Sequence, residues 1–102
     1  MTGRVAIIDR VTLAGDQAMP WLDRLRAEYA PAAQARGMRL TGTWWTHADE
    51  DAIEVCLVWE LADVATFWAM KHAARRDGSV DEWWAATDAI ALDRQRQVYA
   101  SA

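Results

Sequence analysis

Cysteine, proline, histidine and positive charge are all in short supply in this chain. It has one cysteine, two prolines and two histidines in 102 residues. A lone Cys56 can close no internal disulfide and supply no thiolate cluster, which fits a reducing compartment. Eleven Lys and Arg face 15 Asp and Glu, for a net charge of −4. A general nucleic-acid binder needs the opposite balance to neutralise phosphates. No apolar run approaches the ~18–20 residues of a membrane span. The opening "MTGRVAIIDRVTLAGD" is broken by Arg4, Asp9 and Arg10, where a signal peptide needs an unbroken apolar stretch. No low-complexity tract or linker is present. These absences lead to the expectation of one cytoplasmic domain over residues 1–102, with no nucleic-acid or membrane partner.

Apolar residues are plentiful, at 53% of the chain, and seven of them are tryptophans. The apolar content excludes disorder. Tryptophan is large, rigid and amphipathic, so seven in one small domain point to a Trp-rich core, to a ligand pocket, or to both.

The hydrophobic periodicity changes along the chain. Residues 4–14, "RVAIIDRVTLA", are β-branched and alternate, predicting a strand. Val5, Ile7, Val11 and Leu13 share one face with Asp9, a carboxylate in an apolar row. Residues 15–37 follow a helical pattern through Leu22, Leu25 and Tyr29, with Asp16 as expected N-cap, Pro20 in the first turn and Gly37 as C-cap. Pro31 should kink or split this helix near Tyr29. Residues 38–48 predict a second strand and 52–61 a third, joined through the acidic turn "DED" as a hairpin. Residues 62–78 predict a helix capped by Asp63 and ended by Gly78. Residues 79–92 predict another, with Ser79 and Glu82 at capping-box spacing. Residues 93–102 predict a last strand.

The order β-α-β-β-α-(α)-β is that of a ferredoxin-like α+β fold, a four-stranded antiparallel sheet with helices on one face. The other face should then be polar. Yet Ala6, Ile8, Cys56 and Val58 fall there, and adjacent Trp44 and Trp45 put an indole on each face whatever the register. A second copy of the chain is the expected cover, making a homodimeric α+β barrel.

With this element order, Gly37, Gly42-Thr43-Trp44, Val58-Trp59-Glu60-Leu61, Asp63 and the Asp81–Trp84 stretch resemble the dimeric α+β barrel superfamily, and NIPSNAP-type domains most. The resemblance implies the fold and dimerisation. The superfamily includes cofactor-free monooxygenases, isomerases, decarboxylases and haem-binding enzymes, so it implies no single chemistry.

The candidate chemistry rests on few residues. His47 shares a sheet face with Trp45 and is suited to proton transfer near neutral pH. Its bland alternative is a solvated turn histidine. His72, four residues after Trp68, could face inward or be an ordinary surface histidine. Asp9 and Glu60 lie on otherwise apolar strands, where a desolvated carboxylate either transfers protons or pairs with an arginine. Tyr29 could offer a hydroxyl to a cavity. No spacing of His, Cys and carboxylates supports a metal site, "HADED" lacks the glycine of a calcium loop, and no Gly-rich phosphate loop occurs. The leading expectation is a small-molecule enzyme or binder for a hydrophobic or aromatic substrate. Trp44, Trp45, Trp59, Trp68 and His72 would line the pocket. His47, Tyr29, Asp9 and Glu60 would carry cofactor-free proton transfer of isomerase, cyclase or monooxygenase type. The alternatives are a non-catalytic homodimer and a haem-binding protein.

Overall fold

The computed structural model describes residues 3–102. Four strands, β1 (Val5–Ala14), β2 (Arg39–His47), β3 (Ala52–Leu61) and β4 (Asp93–Ala100), form one sheet in the order β2-β3-β1-β4. All three pairings are antiparallel. Between β1 and β2 runs a helical rod: α1 (Gly15–Arg24), a π-turn (Leu25–Tyr29) and α2 (Ala30–Ala35). Helices α3 (Val64–Arg76) and α4 (Gly78–Ile90) lie between β3 and β4. This is the expected ferredoxin-like α+β arrangement, and β3 has the predicted bounds.

Strand alternation builds the core. Val5, Ile7, Asp9, Val11 and Leu13 are buried in β1, with Val55, Leu57, Trp59 and Leu61 of β3 on the same face. Against them pack Trp21, Leu22, Leu25, Tyr29 and Ala33 of the rod, Met70 of α3 and Trp83 of α4. Trp21 Nε1 donates to Thr87 Oγ1 at 3.0 Å, tying α1 to α4 with both polar groups satisfied.

Pro31 has its effect one turn upstream. A proline has no N–H and crowds the carbonyl four residues back. The rod absorbs this as a π-turn, in which the Ala30 N–H reaches back to the Leu25 carbonyl. The predicted break near Tyr29 is therefore a widened turn within a continuous rod. Gly37 ends the rod at φ +95°, and a Cβ there would come within 2.8 Å of Thr66 Cγ2, so both backbone and space require glycine.

Three capping expectations are corrected. Ala14, not Asp16, is the N-cap of α1, which leaves Asp16 in the first turn and Pro20 beyond it. Gly78 opens α4 instead of closing α3. Asp77, not Ser79, caps α4, accepting from Ser79 N at 3.0 Å. Asp63 caps α3 as expected, accepting from Thr66 N at 2.7 Å.

A bulge in β2 decides where the paired tryptophans go. Leu40 faces Trp59 across the ladder, but the next partner of β3, Val58, faces Gly42, so Thr41 is an extra residue. In a regular strand Trp44 would share the face of Leu40. The bulge reverses this, sending Trp44 to the open face opposite Cys56 and Trp45 with His47 to the helix side. The Trp44 indole lies over Gly42, where a Cβ would meet Nε1 at 2.8 Å.

Candidate functional site

The site is built around Asp9, which has no solvent exposure. A carboxylate so placed needs partners on every lone pair. In the β1–β4 ladder Asp9 pairs with Arg96. Arg96 Nε donates to Oδ1 at 2.7 Å and Nη2 to Oδ2 at 2.9 Å, a bidentate fork. Trp59 Nε1 adds a third hydrogen bond to Oδ2 at 3.0 Å. Burial works against the Arg96 charge, but the hydrogen bonds and negative charge of Asp9 outweigh it and hold the guanidinium above its ordinary pKa. The fixed cation is the central electrostatic feature of the site.

Aromatic rings surround it. Tyr29 meets Trp59 edge-on at 5.9 Å and Trp84 edge-on at 5.4 Å, and stacks with Trp83 at 5.6 Å. Trp84 Nε1 donates to the Tyr29 hydroxyl at 3.2 Å, which leaves the phenolic proton free for another acceptor. The Arg94 and Arg96 guanidiniums lie 4.7 and 5.4 Å from the Trp84 ring. Arg94 is held in turn by Asp88 through bonds of 2.6 and 2.9 Å. That hydrogen bonding lowers the Asp88 pKa and raises that of Arg94.

Next to this cluster is a cavity of about 170 Å³, lined by Tyr29, Met38, Met70, Lys71, Trp84 and Arg96 among others. Met38, Met70, Ala74, Val80 and the Trp84 ring supply its apolar surface, and Arg96, Tyr29, Lys71, Arg75 and Asp81 its polar groups. Asp9 uses Nε and Nη2 of Arg96, not Nη1. The arrangement can hold an oxygen-bearing group of a small apolar ligand and stabilise negative charge on it.

Of the residues singled out from the sequence, Asp9, Tyr29 and Trp59 come together here. The others do not. His47 is exposed at the sheet edge and stacks edge-on with Trp45 at 5.4 Å. Trp45 faces the helix side but is 55% exposed, because the helical layer does not cover this end of β2. Trp44 is 68% exposed on the open face. Trp68 and His72 are exposed on α3. Glu60 lies on the open face beside Arg39 at 3.4 Å and Arg4 at 3.9 Å. Sequence reading did not single out Arg96, Trp83 and Trp84 as site residues. A signal was there: Arg96 alternates in phase with Arg94 and Val98 on a strand next to β1, and the Trp83–Trp84 pair spans ~100° of a helix face. Neither histidine lines the cavity.

Fold and site together define an α+β ferredoxin-like domain with a small cavity between sheet and helices. No protein-family model matches the sequence, and no curated protein is similar to it. Solved structures do match. An uncharacterised NIPSNAP domain protein of Burkholderia xenovorans superposes with a TM-score of 0.72 at 12% identity, over 96% of this chain and 94% of that one. A NIPSNAP family protein of unknown function from Agrobacterium tumefaciens gives 0.73 at 10% identity, over 99% and 90%. A candidate antibiotic biosynthesis monooxygenase from Nitrosomonas europaea gives 0.68 at 12% identity, over 99% and 92%. The chain has the fold of a NIPSNAP-type α+β domain, as its sequence pattern suggested. Among the described residues no helix is long and apolar enough to cross a membrane.

Proposed function

We propose that this chain is a small-molecule enzyme that seats the oxygen-bearing end of a hydrophobic or aromatic substrate against Arg96 and Tyr29. The observation that carries this reading is a guanidinium held by a fully buried carboxylate and lining a cavity. In that position Arg96 stabilises an enolate or phenolate, and the Tyr29 hydroxyl donates a hydrogen bond to the same oxygen. Asp9 and Trp59 hold Arg96 in place and do not touch substrate. The supported contribution is stabilisation of the oxyanion of an enolate or phenolate, the species that cofactor-free isomerisation, cyclisation and oxygenation have in common. At about 170 Å³ the cavity is below the ~300–1,000 Å³ of clefts for drug-sized ligands. The substrate, or the part of it held here, is therefore small.

The homodimer belongs to the same proposal. The open sheet face carries Ile8, Val58, Cys56 and the exposed Trp44 and Tyr99, and a second copy would bury them under two-fold symmetry. Light scattering should return twice the 11.5 kDa of one chain, and the mass of one chain at micromolar concentration would remove the dimer. The site is tested by titrating small phenols and β-dicarbonyl compounds while following indole fluorescence. Saturable binding that weakens about tenfold in Arg96→Lys and less in Tyr29→Phe is expected. Indifference to every compound would overturn the reading.

A further inference from the structure

The cavity beside Arg96 is lined with charge of the sign this chain has least of. The whole chain carries −4, yet the lining holds Lys71, Arg75 and Arg96 against one carboxylate, Asp81. Asp9 offsets Arg96 through its fork. That leaves Lys71 and Arg75 against Asp81, an excess of positive charge. Among the described residues neither cation has an ion pair or a side-chain hydrogen bond, whereas every other Lys or Arg except Arg76 has one. Arg75 and Arg76 suit the negative C-terminal end of α3. That end does not account for Lys71, which lies further back in the helix.

Helix α3 lines the cavity with two adjacent rows. Met70 and Ala74, four residues apart, form the inner row, with Met70 buried. Lys71 and Arg75, also four apart, form the outer row. Both keep surface in contact with solvent, Lys71 half-buried and Arg75 exposed. Tyr29, by contrast, is 5% exposed. The cavity therefore grades from an inner end, with Tyr29 and Arg96, to a cationic rim in water. A carboxylate at that rim keeps part of its hydration and gains two flexible cations that no other group holds. Asp81, on the α4 side, cancels one of the two positive charges, so the rim suits a single negative charge.

We infer that Lys71 and Arg75 select a substrate with a carboxylate at the end remote from the oxygen held by Arg96 and Tyr29, which makes it a small phenolic or keto acid; the inference rests on the function proposed for that site. Calorimetric titration of the full chain with phenol, 4-hydroxybenzoate, the neutral 4-hydroxybenzamide and benzoate tests it. 4-Hydroxybenzoate should bind about tenfold more tightly than the amide, an advantage that shrinks in about 0.5 M salt. Lys71→Met, which keeps an apolar stem, and Arg75→Met should each remove part of this advantage, and the double variant all of it. The amide should bind these variants as it binds the parent chain. Benzoate, which lacks the phenolic oxygen, should bind more weakly than 4-hydroxybenzoate. If phenol and the amide do not bind at all, the proposed function falls and this inference with it. If they bind, but 4-hydroxybenzoate binds no more tightly than the amide or keeps its advantage in the double variant, the inference is overturned and the proposed function stands. Benzoate binding as tightly as 4-hydroxybenzoate places the carboxylate on Arg96 instead of the rim and overturns the inference too.

Discussion

Asp9 and Glu60 are both carboxylates on strands otherwise rich in apolar residues, on adjacent strands and opposite faces of one sheet. Asp9 is fully buried and takes three hydrogen bonds, two from the Arg96 fork and one from Trp59. Glu60 stays partly in water and makes only looser contacts, at 3.4 Å with Arg39 and 3.9 Å with Arg4. What separates them is solvent. A charge removed from water must be fully paired, whereas a half-exposed charge can rely on hydration. Asp9 is therefore coupled to a particular arginine beside a cavity, and Glu60 is interchangeable with other polar residues until a partner covers its face.

The contrast can be broken experimentally, most severely at Arg96. Arg96→Met leaves Asp9 buried and unpaired and should cost about 3–5 kcal/mol in urea unfolding. Replacing both partners, Asp9→Leu with Arg96→Met, should recover most of that loss, because no charge is then stranded. A double variant no more stable than Arg96→Met alone would show that the fork is not what holds this region together. Trp59→Phe removes one donor from Asp9 and should cost about 1–3 kcal/mol, measured the same way. Glu60→Gln, at its half-exposed position, should shift stability by less than about 1 kcal/mol, and a larger loss in the isolated monomer would erase the distinction between the faces.

The smallest effect is at the helix caps. Backbone hydrogen bonding from Thr66 holds the Asp63 carboxyl below its usual pKa, and side-chain and backbone hydrogen bonds from Ser79 do the same for Asp77. A carboxylate with a depressed folded-state pKa adds stability that is complete above its unfolded value and is lost as pH falls through the folded one. Thermal unfolding followed between about pH 2 and 6 should show this acid limb, and Asp63→Asn, which caps without titrating, should flatten it slightly.

Much of the fold was legible because periodicity encodes it. The alternation in "AIEVCLVWEL" marked β3 to the residue, and Asp63 and Gly37 marked helix ends through backbone needs that few residue types meet. The misfit of Asp9 in an apolar row was also legible, and it led to the centre of the candidate site. Its partner was not, because Arg96 is 87 residues away in sequence and reaches Asp9 only through the β1–β4 register. The destination of Trp44 and Trp45 depended on one extra residue at Thr41, and a bulge of that kind leaves no periodic trace. The helix pair Trp83–Trp84 drew less notice than the strand pair, although α4 packs on the core while the outer end of β2 does not. Local pattern reveals which residues can be buried, and tertiary register decides which of them meet.

A crystal structure of the chain grown with a saturating small phenol tests the central claim most directly. The account predicts ligand density in the cavity beside Trp84, with the phenol oxygen within hydrogen-bond reach of both Arg96 and the Tyr29 hydroxyl. An empty cavity, or ligand bound instead at the exposed Trp45 and His47 edge, would contradict it.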